Sequence, residues 1–266
     1  DTVVAVTQGD CSNTHALRET LRLRGIRTIP FAYPYDRDAE TLRREMCSLC
    51  DALGTSMEEA ERCALEFEPL RQKLDTLDEL TWKDDRVTGG ENHLFLVSSS
   101  DFFGDRFRFE RDIDRLLASA RTRPPRPDTI RMGFIGVPPI IDDLYDVVEA
   151  MGARIVYNEV QRQFSMPARG SGLVDQYLAY TYPYDIFHRI DAILPEIERR
   201  RIHGVIHYVQ SFCHRQIADL VIRKKLPVPV LTIEGDQPGR TDERTRMRLQ
   251  AFVELLESHA EGETRP

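Results

Sequence analysis

At 266 residues the chain exceeds the ~100–150 residues of a typical domain, so two compact units or one large one are expected, with enough length to bury a sizeable core. Hydrophobic residues make up 41% and charged residues 30%, and no stretch approaches the ~20 apolar residues of a membrane-spanning helix, so a soluble globular protein is expected. Acidic residues outnumber basic ones 44 to 36, which argues against nucleic acid as the main partner and gives no support for a membrane surface.

Five cysteines, an odd number without a signal-peptide pattern, read as reduced thiols or metal ligands of a cytoplasmic protein rather than as a disulfide framework. The sequence opens as "DTVVAV", without an initiating Met and with one acid before a strand suited to a sheet interior. The N-terminus therefore reads as cut, and the sequence as a fragment.

"TVVAVTQ" is a β-branched run; a helix from about Asn13 to Arg24, the turn residue Gly25 and a second short strand, "IRTIPFAY", complete a β-α-β unit. Residues 36 to 80 are helical throughout, one helix ending at Gly54 and the next starting with Ser56 as N-cap. "TGGENHLFLVSSSDFFGD" reads as a further helix with its loop, and "RFRFERDIDRLLASARTR" as a helix with charges on its open face.

Three prolines in "TRPPRPDT", residues 122 to 129, form the clearest linker, because proline propagates neither helix nor sheet. The expected domains are therefore 1–124, with a helical insertion, and 125–266. In the second, "IRMGFIGV", "ARIVYNEV", "HGVIHYVQS" and "VPVLTIEGD" are strands of buried type separated by helices, which implies a parallel sheet covered on both faces.

The two halves share a strand that ends in a cysteine and leads into a helix, at "VTQGDCSNTHAL" and "VQSFCHRQIADL". In open α/β sheets ligands bind beyond the carboxyl ends of the strands, where helix N-termini also point. A thiol there meets unpaired backbone N–H groups and the positive end of a helix dipole, a setting that favours the thiolate a metal needs. Cys11 and Cys213 meet this description, although on spacing alone a small buried filler is the commoner role of such a residue. Cys47 and Cys50, in "MCSLC", lie on a helix whose apolar positions include Met46, Leu49 and Leu53, so a buried stripe is expected to take both; Cys63 occupies a similar slot in the next helix.

No G-x-S-x-G, H-E-x-x-H, phosphate loop or G-x-G-x-x-G is present. His203 and His207 fall at the start and middle of a strand and read as structural or surface residues, whereas His214, beside Cys213 at the helix start, is the one histidine placed near the thiol. The basic stretches "TRPPRP" and "RTDERTRMR" read as solvated faces.

The stretch from "GVIHYVQSFCHRQIADL" to "RTRMRLQAFVELL" resembles the C-terminal signature of the 2-hydroxyacyl-CoA dehydratase and benzoyl-CoA reductase family: a strand, a Phe-Cys pair, a helix, a strand ending in Glu-x-Asp, and Arg-x-x-Ala-Phe-x-Glu on the last helix. Here those positions are Phe212, Cys213, Glu234, Asp236, Arg248, Ala251, Phe252 and Glu254. "DTVVAVTQGDCSNTHAL" is similar to the family's earlier strand-to-cysteine segment, and "RMGFIGVPPIIDDLYDVVEAMGARIV" to the opening of its second domain.

The resemblance implies an α/β protein of two flavodoxin-like or Rossmann-like parallel-sheet domains, and an oxygen-sensitive iron–sulfur protein. Family subunits hold a four-iron (4Fe-4S) cluster with three cysteines, leaving one iron open to water or to an acyl-CoA thioester carbonyl. Cys11 would be the middle ligand and Cys213 the last, with the first expected upstream of this chain. An ATP-dependent activator injects one low-potential electron, and a ketyl radical then allows elimination of water. Partners implied are the acyl-CoA, a related second subunit in a homo- or heterodimer, and the activator. Arg162, Arg240, Arg246 and Arg248 are candidate cations for the CoA phosphates, and His214, Glu234 and Asp236 candidate neighbours of the cluster ligands. A benzoyl-CoA reductase-type subunit and a redox homologue of the double-cubane type are the alternatives.

Overall fold

In the computed structural model, residues 1–127, 129–169 and 172–263 are described. The opening β-branched run forms β1 (Thr2–Gln8), which pairs in parallel with β2 (Arg27–Ala32) through the connecting helix α1 (Asn13–Leu23). Helix α2 (Ala39–Leu53) starts where Asp38 Oδ1 accepts the Thr41 amide at 2.7 Å and ends at Gly54. Helix α3 (Met57–Trp82) starts where Ser56 Oγ accepts the Glu59 amide at 3.2 Å, so the expected N-cap is in place.

The chain divides into two units, Asp1–Pro69 with Ala168–Arg189, and Leu70–Pro167 with Ile190–Pro266. The first holds the two-stranded parallel sheet, α1, α2 and a later helix, α8 (Leu173–Ala179). Its core gathers Phe31, Leu42, Met46 and Val174, with Tyr33, Leu49, Met57 and Tyr177 packed against them. Cys50 is buried on the α2 stripe, its Sγ 3.8 Å from Met57 Sδ, and burial pushes its thiol pKa up; Cys47 is only partly buried. Leu53, expected on the same stripe, is exposed as the last residue of the helix.

The second unit carries the more regular alternation. Its helices α4 (Gly89–Ser98) and α5 (Arg106–Thr122) precede β3 (Ile130–Gly136), α6 (Leu144–Ala150), β4 (Ala153–Asn158) and α7 (Glu159–Phe164). Helix α9 (Ile186–Arg199), which begins in the first unit, leads to β5 (Gly204–Gln210). A 3₁₀ turn (His214–Ala218) then runs into α10 (Asp219–Lys225), β6 (Val230–Gly235) and α11 (Glu243–Glu263). The four strands are parallel in the order β4-β3-β5-β6. The first strand of the set thus lies inside, and the order of connection reverses between β3 and β5, as in doubly wound sheets.

Every residue of β3 and β4 is buried, as expected for a parallel sheet covered on both faces. One side packs Met132, Phe134, Ile155 and Ile206 against Val148 of α6 and Leu249 and Val253 of α11. The segment 122–127 runs on from α5 within this unit, in which α4 packs on β4 and Arg131 of β3 donates to the Trp82 carbonyl at the end of α3. The binding is ionic as well as apolar: Asp78 of α3 takes both terminal nitrogens of Arg200, at 2.9 and 2.6 Å, and Arg200 Nε reaches Glu196 at 2.6 Å. Arg200 is fully buried, with its guanidinium over the rings of Trp82 and Tyr157. Burial works to raise the Asp78 pKa, but the charges of Arg200 and Arg162 and the hydrogen bonds from Arg200 and Asn92 hold it below the ordinary carboxylate value. Among the described residues no helix is long and apolar enough to cross a membrane.

Candidate functional site

The first unit presents Cys11 two residues ahead of α1. After β1 the chain bends at Gly9, whose φ of +93° suits glycine; a Cβ there would come within 2.8 Å of Pro183 Cβ and 3.0 Å of Tyr33 Cβ. The Cys11 carbonyl accepts the Thr14 amide at 3.0 Å, and His15 Nε2 meets the Thr7 carbonyl at 3.0 Å, so both sides of the bend are fastened. The N-cap, Ser12, makes no side-chain capping bond; its carbonyl accepts the His15 amide at 3.1 Å. Cys11 is a free, partly exposed thiol.

In the second unit Cys213 follows β5, beyond the carboxyl ends of the central strands and beside the point where the sheet reverses. It is the N-cap of the 3₁₀ turn, again without a side-chain capping bond, and is free and partly exposed. The approach is tightly held: Ser211 donates its amide to Gly235 at 2.8 Å and its hydroxyl to Glu234 Oε1 at 3.0 Å. Cys213 donates its amide to Gln210 at 3.0 Å and its carbonyl accepts the Gln216 amide at 3.1 Å. Between them Phe212 has φ +64° and its side chain is 93% exposed.

Neighbouring loops are fixed from below by Tyr208, whose hydroxyl accepts the Ile140 amide and donates to Gln210 Oε1, both at 3.1 Å. A Cβ at Gly136 would strike the Tyr208 carbonyl and one at Gly235 its hydroxyl, so both strands meet Tyr208 where only glycine fits. Asp143 joins the loop after β3 to the loop after β6, accepting the Thr241 amide and hydroxyl at 2.7 Å each and Arg240 Nε at 3.0 Å. Those hydrogen bonds, with the Arg240 charge, outweigh burial and hold the Asp143 pKa down at about 2. Behind β5, His207 Nδ1 lies 2.7 Å from Asp219 Oδ1, which also accepts the Thr232 hydroxyl at 2.5 Å, while Arg223 Nε donates to Asp219 Oδ2 at 2.8 Å. Burial opposes it, but these bonds keep the Asp219 carboxylate below its ordinary pKa.

The other sequence candidates scatter around this edge. Glu234 is exposed and takes Ser211; Asp236 is exposed, its carbonyl accepting Gln210 Nε2 at 3.3 Å; His214 is exposed at the start of the 3₁₀ turn. Arg240 pairs with Asp143, and Arg248 donates to the Thr232 carbonyl at 2.6 Å. Arg246 is partly buried in the first turn of α11. Arg162 lies in the buried ionic cluster, 3.2 Å from Asp78 and 3.9 Å from Glu196. Sequence reasoning missed Tyr208 and Asp143, whose roles arise from partners far along the chain and leave no local pattern. It read His207 as a structural or surface residue, and its carboxylate partner, Asp219, twelve residues on, was not visible as a pair.

Among the described residues no three His, Cys, Asp or Glu side chains gather as a group able to hold a metal. Cys11 and Cys213 are each a free, partly exposed thiol. No curated protein matches the chain. A family model described as 2-hydroxyglutaryl-CoA dehydratase, D-component, matches residues 1–256. Matched over nearly its whole length, the chain belongs to that dehydratase component family.

Proposed function

We propose that the chain is an iron–sulfur subunit of a cytoplasmic 2-hydroxyacyl-CoA dehydratase-type enzyme, with Cys11 and Cys213 as thiolate ligands of a four-iron cluster and a third cysteine supplied from outside these residues. The observation that carries the reading is a pair of free thiols, each just past a parallel strand and just ahead of a helical turn, in a chain of the dehydratase component family. When bound, such a cluster supplies one-electron transfer and a Lewis-acidic iron for a thioester carbonyl.

Elimination of water from a 2-hydroxyacyl thioester requires loss of a β-proton of very low acidity, beyond the ~10²–10⁴-fold that a positioned acid or base contributes. The part of this chain is accordingly to hold and orient. The Ser211–Glu234 and Cys213–Gln210 hydrogen bonds fix the approach to the second sulfur. Arg246 and Arg248 are cations offered to the CoA phosphates, with Arg240, which also pairs with Asp143, and Arg162, which also meets Asp78 and Glu196. A related subunit and an ATP-dependent activator that delivers the electron complete the system.

The test is anaerobic reconstitution, with iron and sulfide, of a version that carries the third cysteine, followed by iron and acid-labile sulfide analysis. Cys11→Ala and Cys213→Ala are expected each to lose at least half of the bound iron while Cys50→Ala keeps it. Equal iron in all three variants, or none in the parent chain, overturns the assignment.

A further inference from the structure

Phe212 is held at two disadvantages at once. Its backbone lies at φ +64°, which is rare for a bulky residue, and its ring is 93% exposed, the highest exposure of any large apolar side chain among the described residues. Neither is imposed by a slack loop, since Ser211 and Cys213 on either side are both hydrogen-bonded to the ends of β5 and β6. Glycine would satisfy the same backbone without strain, and a polar residue would satisfy the same exposure. A strained, solvated aromatic ring on a rigid mount is suited to covering the apolar part of a ligand.

From this geometry we infer that Phe212 is a specificity-determining residue, its ring forming an apolar wall against the acyl chain of the thioester. The inference rests on the dehydratase-type reading for the identity of the ligand. It follows from the position of the ring, one residue from the Cys213 thiol and beyond the carboxyl end of β5 at the sheet's reversal, where small ligands bind in open α/β folds. The polar neighbours do not compete for the same part of the ligand: Ser211 and Glu234 are bonded to each other, and Gln210 is engaged by Tyr208 and the Asp236 carbonyl.

The test is a calorimetric binding series with free CoA and saturated butyryl-, hexanoyl- and octanoyl-CoA, on the parent chain and on Phe212→Gly and Phe212→Leu, with thermal melts of all three. In the parent, affinity is expected to rise up to about 4-fold for each methylene that reaches the ring. Phe212→Gly is expected to melt higher than the parent, to bind free CoA equally well and to lose the dependence on chain length; Phe212→Leu keeps most of it. An unchanged chain-length slope in Phe212→Gly, or a lower melting temperature with every affinity intact, overturns the role. So does unchanged binding with loss of a protein partner that docks across the exposed Phe212, Ile217 and Leu220. If the parent binds neither CoA nor any thioester, the dehydratase-type reading falls, and this inference with it.

Discussion

Strand β5 is hydrogen-bonded on both sides, to β3 and β6, and is buried along nearly its whole length, whereas β1 has one partner among the described strands and one buried residue, Ala5. Both strands deliver a cysteine to a helical turn. The difference lies in what fixes the sulfur. At Cys213 the position is inherited from the ladder itself, through Gln210 opposite Gly235 and Gly136 opposite Tyr208. At Cys11 it depends on a single bend, where Gly9 packs on Tyr33 and Pro183, and on a helix, α1, none of whose residues is buried. The same local device thus stands on a rigid base in one unit and on a light one in the other.

The strongest way to break this contrast is to attack the rigid base from within. Arg200→Leu leaves Asp78 buried beside too little positive charge and is expected to cost about 3–5 kcal/mol, read as a fall in the urea midpoint. Hydrogen exchange should then accelerate through β3 to β6 and the second half of α3. Protection lost first in β1 and α1 would show that the two scaffolds are not distinct.

Next in size are the glycines. Gly136→Ala meets the Tyr208 carbonyl at a φ of +95° and Gly9→Ala meets Pro183 at +93°, so each is expected to cost about 1–3 kcal/mol. The contrast is sharpened by where the cost appears: as a lower global midpoint for Gly136→Ala, and as faster amide exchange confined to β1 and α1 for Gly9→Ala.

Acid should loosen the second site by a separate route. The folded pKa of Asp143, about 2, lies below its ordinary value of 3.8, so the stabilisation it gives is complete above the ordinary pKa and is lost as pH falls through about 2. A titration of the melting temperature from pH 6 to pH 2 is expected to show a steeper decline in the parent than in Asp143→Asn, whose remaining decline comes from the other depressed carboxylates such as Asp78 and Asp219. Identical curves for the two would remove Asp143 from the tie between the loops after β3 and β6.

The smallest effects concern caps. Thr88 and Glu91 form a reciprocal capping box at 3.0 Å in both directions, and Thr88→Ala is expected to cost about 1 kcal/mol; Ser56→Ala, at a more exposed helix start, about 0.5 kcal/mol. Paired denaturation curves measure both.

These contrasts also explain what the sequence made legible. Strands β3 to β6 and their helices follow from apolar runs and turn residues, because in a covered parallel sheet pattern and burial coincide. The α2 end at Gly54 and the α3 start at Ser56 are equally local signals. The placement of Cys11 and Cys213 beyond strand ends was legible from the β-branched or apolar run before each cysteine and the helix signal after it. What the sequence hid is non-local. Asp78 meets Arg200 across 122 positions of chain, and Val174 and Tyr177 pack into the first core beside Phe31 and Leu42, far earlier in the chain. Periodicity says which face of a helix is apolar, not which distant surface covers it.

The division of the chain has a consequence for biosynthesis. The first unit needs Ala168–Arg189, so it cannot be finished until the whole of Leu70–Pro167 has been translated, although its strands are made first. Emergence from the ribosome therefore runs against the usual order in which an N-terminal domain folds before the next begins. A nascent chain stopped before residue 168 should remain sensitive to protease throughout α2, and one extended past residue 189 should gain resistance there in a single step.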